Sequence, residues 1–259
     1  MIDLNCDVGE AYGAWVVGSD AALIPLVTSA NIACGFHAGD PGVIRATVDA
    51  ARYHGVAIGA HPGYPDLQGF GRRAMALTPA EIEDIVLYQI GAVAAFARAA
   101  GATLAHIKPH GALYNRAARD RQAADAIARA VFGFDRDLIL VGLAGSALVE
   151  AGKGIGLPVA REAFADRGYE ADGSLRARDL PGALLQSVDA VVAQARSLVR
   201  DGCVQAVTGE RVSIDADTLC LHGDTPGALE FARAVRAGLE QTGITVCHLA
   251  EALTRRRGV

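Results

Sequence analysis

The sequence of 259 residues has little that would tie it to nucleic acid, to a membrane or to a disulfide scaffold. Its net charge is -5. The one run of like charge, Arg255-Arg256-Arg257, reads as a fraying tail and not as a nucleic-acid stripe. Mean hydropathy is high, at +0.25, which calls for a check for membrane spans. The best candidate, Leu138 to Val149, contains two glycines and is shorter than the roughly 18 to 20 residues a span requires. The opening "MIDLNCDVGE" carries Asp3 and Asp7 but neither the basic region nor the apolar stretch of a signal peptide. The 5 cysteines are odd in number and scattered, with no C-x-x-C pair. That argues for reduced, buried thiols in the cytoplasm, against a disulfide framework or zinc knuckle. No G-x-x-x-x-G-K-[ST] phosphate loop exists. "GKGIG", Gly152 to Gly156, follows a helical run and reads as a helix C-terminal turn.

What is present is alternation. Aromatics make up 5% of the chain and hydrophobic residues 51%, a composition suited to helices packed closely on a sheet. Short strand-like runs at Ile2–Cys6, Val27–Ala33, Val56–Ala60, Thr103–Lys108, Leu138–Leu143, Pro158–Ala160 and Thr218–Leu221 are joined by a weaker eighth, Ile244–Cys247. Between them lie helical runs at Pro41–His54, Pro79–Ala100, Arg121–Phe132, Pro181–Arg200 and Pro226–Gln241. Four of these open on proline, where a missing N–H costs nothing. Residues 203–217 read as an inserted hairpin with "TGERV" as its turn. Repeated β-then-α units predict a parallel sheet covered by helices. With no linker in sight, one domain over residues 1–259 is expected.

Ionisable residues cluster just past the predicted strands: Asp7 and Glu10, His37 and Asp40, His61, Lys108 and His110, Arg161 and Glu162, His222 and Asp224. An open doubly wound sheet would gather its site at one switch point. Six strand ends carrying such groups instead predict a TIM-like (β/α) barrel of seven or eight strands, with the site on the carboxyl face. Singly, each His or Arg–Glu pair would be an ordinary structural residue. Together they predict a site.

Two chemistries fit. Asp7, His37 and His61 form a candidate metal site with an activated water. A metal-free site would use Lys108 on an oxyanion or phosphate while Asp7, Asp224 or a histidine moves protons. None of the histidines at these strand ends stands in an H-x-H or H-x-x-E pattern, which favours the second. Cys34 with His37 makes a weaker nucleophilic pair, since Cys34 sits among residues that read as buried. In "HPGYPDLQGFGRR" the glycines allow close backbone approach to a ligand, and Arg72 or Arg73 could clamp a carboxylate. The expected catalytic set is Asp7, His37, His61, Lys108 and Asp224. Glu10, Asn31, Arg72, Arg73, His110, Arg161, Glu162 and His222 are the expected substrate contacts.

The stretches "DLNCDVGE", "SANIACGFHAGDP", "GAHPGYPDLQGFGRR", "KPHGALYN", "REAFADRGY" and "LCLHGDTPGA" closely resemble the LamB/YcsF family, in order, from Ile2 to about Leu253. Tyr12 stands where that family more usually has Phe. The resemblance implies a barrel related to the glycoside hydrolase/deacetylase group. It implies the A subunit of an enzyme that cleaves 5-oxoproline to L-glutamate with ATP as cosubstrate, and Mg alongside it, in a complex with subunits B and C. In that scheme Arg72 or Arg73 holds the substrate carboxylate, Lys108 the phosphate or oxyanion, and Asp7, His37, His61 and Asp224 the water. A stand-alone metal-dependent amide or sugar deacetylase and a non-catalytic scaffold of a hydrolase complex are the competing classes.

Overall fold

The structure is a computed structural model that describes residues 1–222 and 227–256. Strand β1 (Asp3–Val8) shows why a barrel forms. Its sequence alternates Asp3, Asn5 and Asp7 with Leu4, Cys6 and Val8, and all six are buried. A strand buried on both faces must have cover on both sides. The apolar set joins the main hydrophobic core, whereas the polar set hydrogen-bonds inside the ring, to the flanking strands and beyond them to Glu162 and Lys108.

That ring is a closed parallel barrel in the order β1, β2 (Ser29–Ala33), β3 (Ala57–His61), β4 (Leu104–Ile107), β5 (Ile139–Leu143), β6 (Val159–Phe164) and β9 (Thr218–His222). Strand β9 pairs with both β6 and β1 and so completes it. β7 (Cys203–Gln205) and β8 (Arg211–Ser213) form the antiparallel hairpin expected from the sequence. Among the described residues the barrel therefore has seven strands. The expected eighth, Ile244–Cys247, makes only an isolated parallel bridge between Ile2 and Val246. Both edges of β1 are already taken by β2 and β9, so this segment can pair only with the residue ahead of β1. It does so through Ile2 N to Thr245 O and Cys247 N to Ile2 O, each 3.0 Å.

The helices are α1 (Asp20–Leu23), α2 (Pro41–Tyr53), α3 (Pro79–Ala99), α4 (Gly111–Ala117), α5 (Arg121–Phe134), α6 (Ala147–Ile155), α7 (Val188–Arg196), α8 (Ala228–Glu240) and α9 (Leu249–Arg256). Local chemistry sets their starts. Asp40 caps α2 by accepting from Gly42 N and Val43 N, with Pro41 in the first turn. Thr78 and Glu81 form a reciprocal capping box on α3. α6 ends with Gly156 at φ +90°, the left-handed turn expected of "GKGIG". Helix α7 starts seven residues later than the sequence pattern from Pro181 implies. The intervening chain instead folds back on the loop after β6, with Gly168 N bound to Ala183 O and Leu185 N to Asp166 O, and Ser187 caps the helix.

Barrels of this type usually fill their interior with branched aliphatic residues. Here much of the interior is a polar network. Asn5 Nδ2 donates to Glu162 Oε1 at 3.0 Å and to Thr218 Oγ1 at 2.7 Å. Lower down, Asp3 accepts from Thr28, Ser29 and Thr218. Each buried polar atom needs a partner, so these strands must carry polar residues in register with one another.

Candidate active site

Lys108, the first residue past β4, sits at the centre of the carboxyl-end floor. Its ammonium lies 2.8 Å from Asp7 Oδ1, 2.9 Å from Glu162 Oε1, 3.0 Å from Cys220 Sγ and 3.2 Å from Asn5 Oδ1. Burial alone would push its pKa down; Asp7, Cys220 and Glu162 over-compensate and hold it well above the ordinary value. Glu162 in turn accepts from Asn5, Lys108 and, at 2.6 Å, Tyr114 Oη. Lys108 thus braces two carboxylates. Its three N–H groups already face four acceptors.

Above this floor three histidines and a carboxylate converge. The ligand atoms of Glu10, His37, His61 and His110 all lie within 4.8 Å of one another, and all four residues are buried. His61 Nδ1 lies 2.6 Å from Lys108 O and His110 Nε2 2.8 Å from Phe70 O. A carbonyl only accepts, so each of those nitrogens carries the proton. The opposite nitrogens, His61 Nε2 and His110 Nδ1, face each other at 3.0 Å. Asp7 Oδ2 lies 3.3 Å from His61 Nε2. Glu10 Oε1 lies 3.5 Å from both His37 Nε2 and His110 Nδ1. Burial lowers the pKa of His37 and of His110 well below the ordinary value, and neighbouring histidines push the same way. The rings of His37 and His110 stack at 3.8 Å, and neither ring nitrogen of His37 has a hydrogen-bond partner among the described residues. Lone pairs aimed at one point, with backbone carbonyls fixing the tautomers, is the donor arrangement of a metal centre. These four residues could hold a metal ion.

The loop after β3 closes over the histidines. Gly71, at φ +63°, lies so near that a Cβ there would come within 2.8 Å of both His37 and His110. A Cβ on Gly63 would come within 2.7 Å of His37 Nδ1. The glycines of this loop therefore admit a close approach to the histidine pair itself.

The floor opens into a cavity of about 600 Å³ lined by Asp7, Glu10, His61, Arg72, Lys108, His110, Tyr114 and Phe164, with Arg119, Arg167, Arg176 and Arg178 on its walls. Arg167 is buried, and its pKa is lowered to about 10 by that burial and by Arg178. The cavity floor is thus acidic and histidine-rich, and its wall carries four arginines beside Glu170 and Asp179.

The sequence-predicted residues separate accordingly. Asp7, Glu10, His61, Arg72, Lys108 and His110 line one cavity, with His37 packed against His110 and Glu162 beneath Lys108. Asn31 is fully buried under the floor, donating to Asn5 Oδ1 and Asp7 Oδ1. Arg73 pairs with Asp66 within its own loop. Arg161 lies within β6, not past it, and pairs with Asp217 at 2.8 Å and with Asp215. The metal grouping differs from the expected Asp7, His37 and His61, since Glu10 and His110 complete it while Asp7 stands beside His61. His222 ends β9 in register with Asp7, and Asp224 lies outside the described residues. Cys34 is buried, which pushes its thiol pKa up, and donates to Ile32 O; this is no activated nucleophile. Sequence reasoning missed Asn5, His106, Tyr114 and Cys220. The period-2 polarity of "DLNCDV" carried the signal for Asn5, and Tyr114 stands in "KPHGALYN".

Fold and site together define a (β/α)-barrel protein with a buried carboxylate–histidine centre at the carboxyl ends of its strands. The chain belongs to the LamB/YcsF family, whose profile matches residues 2–254. It is 61% identical over 245 residues to the A subunit of 5-oxoprolinase from Chloroflexus aggregans, covering 95% of this chain and 97% of that one. It is 59% identical over 246 residues to the A subunit of 5-oxoprolinase from Tolumonas auensis, covering 95% and 98%. The crystal structure of the lactam utilization protein from Thermus thermophilus superposes with a TM-score of 0.90 at 52% identity, covering 95% and 98%. A putative cellobiose-phosphate cleavage protein from Enterococcus faecalis shares the fold alone, at TM-score 0.55 and 11% identity over 96% and 97% of the two chains. No helix among the described residues is long and apolar enough to cross a membrane.

Proposed function

We propose that this chain is the catalytic A subunit of an ATP-hydrolysing 5-oxoprolinase, opening the lactam ring of 5-oxoproline to L-glutamate together with subunits B and C. The observation that carries the reading is the floor of the cavity. There Asp7 and Glu10 meet the bare nitrogens of His61 and His110 beneath an arginine-rich wall. The reading also draws on relatives bearing that name.

A lactam resists water because amide resonance deactivates its carbonyl. General acid–base help contributes only about 10²- to 10⁴-fold, so activation by ATP at the lactam oxygen supplies the rest. The sequence has no phosphate loop, and we assign the handling of ATP, with Mg, to the complex with B and C. Asp7 is the residue placed to take a proton from the water that adds to the lactam carbon, because Lys108 and Asn31 hold Oδ1 while Oδ2 faces His61. Arg72, which stacks over Phe70 at 4.9 Å and lines the cavity, holds the substrate carboxylate. Arg73 is engaged with Asp66. Asp224 and His222 keep their assignment to the water and the substrate. A divalent ion on Glu10, His37, His61 and His110 would supply Lewis-acid polarisation of the carbonyl. Five buried free cysteines support a reducing, cytoplasmic setting.

The histidine cluster also favours a second reading, a stand-alone metal-dependent amide or sugar deacetylase. One assay separates them: glutamate release from 5-oxoproline by the purified chain, with and without ATP, and with B and C added. Negligible release alone and restoration by B and C is the expected result. Brisk ATP-independent release by the chain alone would reject the division of labour. Release by B and C without this chain would make it a scaffold.

A further inference from the structure

His106 is fully buried in β4, two residues before Lys108, and faces the barrel interior beneath the cavity. Its Nε2 lies 2.7 Å from Asn31 Oδ1. The identity of that atom is forced from the other side. Asn31 reaches Asp7 Oδ1 at 2.8 Å and Asn5 Oδ1 at 2.7 Å, both acceptors, so its amide nitrogen must face them. Its oxygen then faces His106, whose Nε2 must carry the proton. That leaves His106 Nδ1 bare, and it has no partner among the described residues.

A buried, unsatisfied nitrogen is costly, and burial lowers the pKa of the imidazole to about 3, keeping it neutral. The neighbouring strand makes a second concession. Gly59 is the register partner of His106, and any Cβ at Gly59 would overlap the imidazole ring. Two strands have thus given up a side chain and a hydrogen bond to keep one N–H aimed at one amide oxygen. The hydrogen bond from His106 holds the oxygen end of the Asn31 amide, while its nitrogen end reaches Asn5 and Asp7.

We propose that His106 is a positioning residue for the reaction, acting through Asn31 to fix the Asp7 carboxylate in its orientation toward His61 and the cavity. It touches neither substrate nor Lys108. Its effect is transmitted by a three-membered chain, His106 to Asn31 to Asp7, that crosses from β4 to β1. This rests on the assignment of Asp7 to proton transfer made above.

The test compares His106→Met, which keeps bulk but removes the N–H, with His106→Gln, whose amide can place an N–H near the same point. In the complex with B and C, His106→Met is expected to lower kcat about 10- to 100-fold, the range seen when an outer hydrogen-bond partner is lost, with KM within about twofold. His106→Gln is expected to recover most of that loss. Equal kcat in His106→Met and wild type, or equal impairment in both variants, would overturn the proposal and leave His106 a packing residue. A second measurement is independent of catalysis. Long-range nitrogen–proton NMR of the histidine side chains in the isolated chain must show His106 protonated at Nε2 only. A proton at Nδ1 would defeat the inference even if the 5-oxoprolinase reading stands, and a failed glutamate assay with the expected tautomer would defeat that reading instead.

Discussion

His61 Nε2 and His110 Nδ1 face each other at 3.0 Å, and each ring spends its only N–H on a backbone carbonyl. Two unprotonated nitrogens so placed repel unless a proton or a metal cation lies between them. Asp7 and Glu10 bring further negative charge to the same point, which deepens the demand.

The purified chain is therefore expected to take up one divalent ion, measurable by elemental analysis and by titration. Loss of an outer hydrogen-bond partner alone costs about 10- to 100-fold in metal affinity. Removing a ligand, as in His110→Ala, should cost at least about 100-fold. A chain isolated without chelator that holds no ion, and takes none up on titration, would contradict the donor geometry.

Arg72 and Arg73, adjacent in sequence, are expected to behave differently. Arg73→Gln removes the exposed partner of a buried carboxylate, Asp66, which keeps its backbone donors Gly69 N and Arg73 N, so its effect should be a stability loss of about 1–3 kcal/mol and not a change in KM. Arg72→Gln should raise KM for 5-oxoproline about tenfold or more. The reverse pattern would move the carboxylate contact to Arg73.

Lys108→Met leaves Asp7 and Glu162 buried without their shared cation. Breaking a buried pair from one side typically costs about 3–5 kcal/mol, and urea unfolding should show a loss of that size. Adding Glu162→Gln should cost less than its separate effect, because the charge it removes is by then uncompensated. Strict additivity in this double-mutant cycle would refute the brace.

Asp3 makes stability depend on pH at the far end of the barrel. Burial raises its pKa from 3.8 to about 6, against the opposing hydrogen bonds from Thr218, Thr28 and Ser29. Folding thus favours the protonated form. The contribution is fully present below the unfolded value of 3.8 and is lost as pH rises through about 6. Relative to Asp3→Asn, the wild type should lose roughly 3 kcal/mol of unfolding free energy from low pH to neutrality. Parallel pH profiles for the two proteins would show that Asp3 does not titrate on folding.

Much of this architecture was legible in the chain because each element announces itself locally. Asp40 before Pro41 and Thr78 before Pro79 mark helix starts, and short apolar runs mark the strands. The ionisable residues after those runs pointed to the carboxyl face. The finer arrangement was not legible, for reasons that can be named. Glu10, His37, His61 and His110 stand on four separate βα segments, so no local spacing spells out the cluster. His106 and Asn5 look like isolated polar residues until strand register sets them opposite Gly59 and Ser29. Arg161 was drawn toward the site by its neighbour Glu162, yet successive residues of a strand face opposite sides. Ile244–Cys247 has the composition of a strand but finds no open edge.

The polar interior also governs how this barrel can diverge. Asn5 serves Glu162, Thr218, Asn31 and Lys108 at once, so a change there strands several partners together. On the helix-facing side, one aliphatic residue can replace another at modest cost. Inside the ring, a lone replacement leaves a donor or acceptor without a mate. Drift is therefore free on the outside of each strand and coordinated within. Over many descendants the seven strands should record two histories, one written residue by residue and the other in simultaneous steps around the ring.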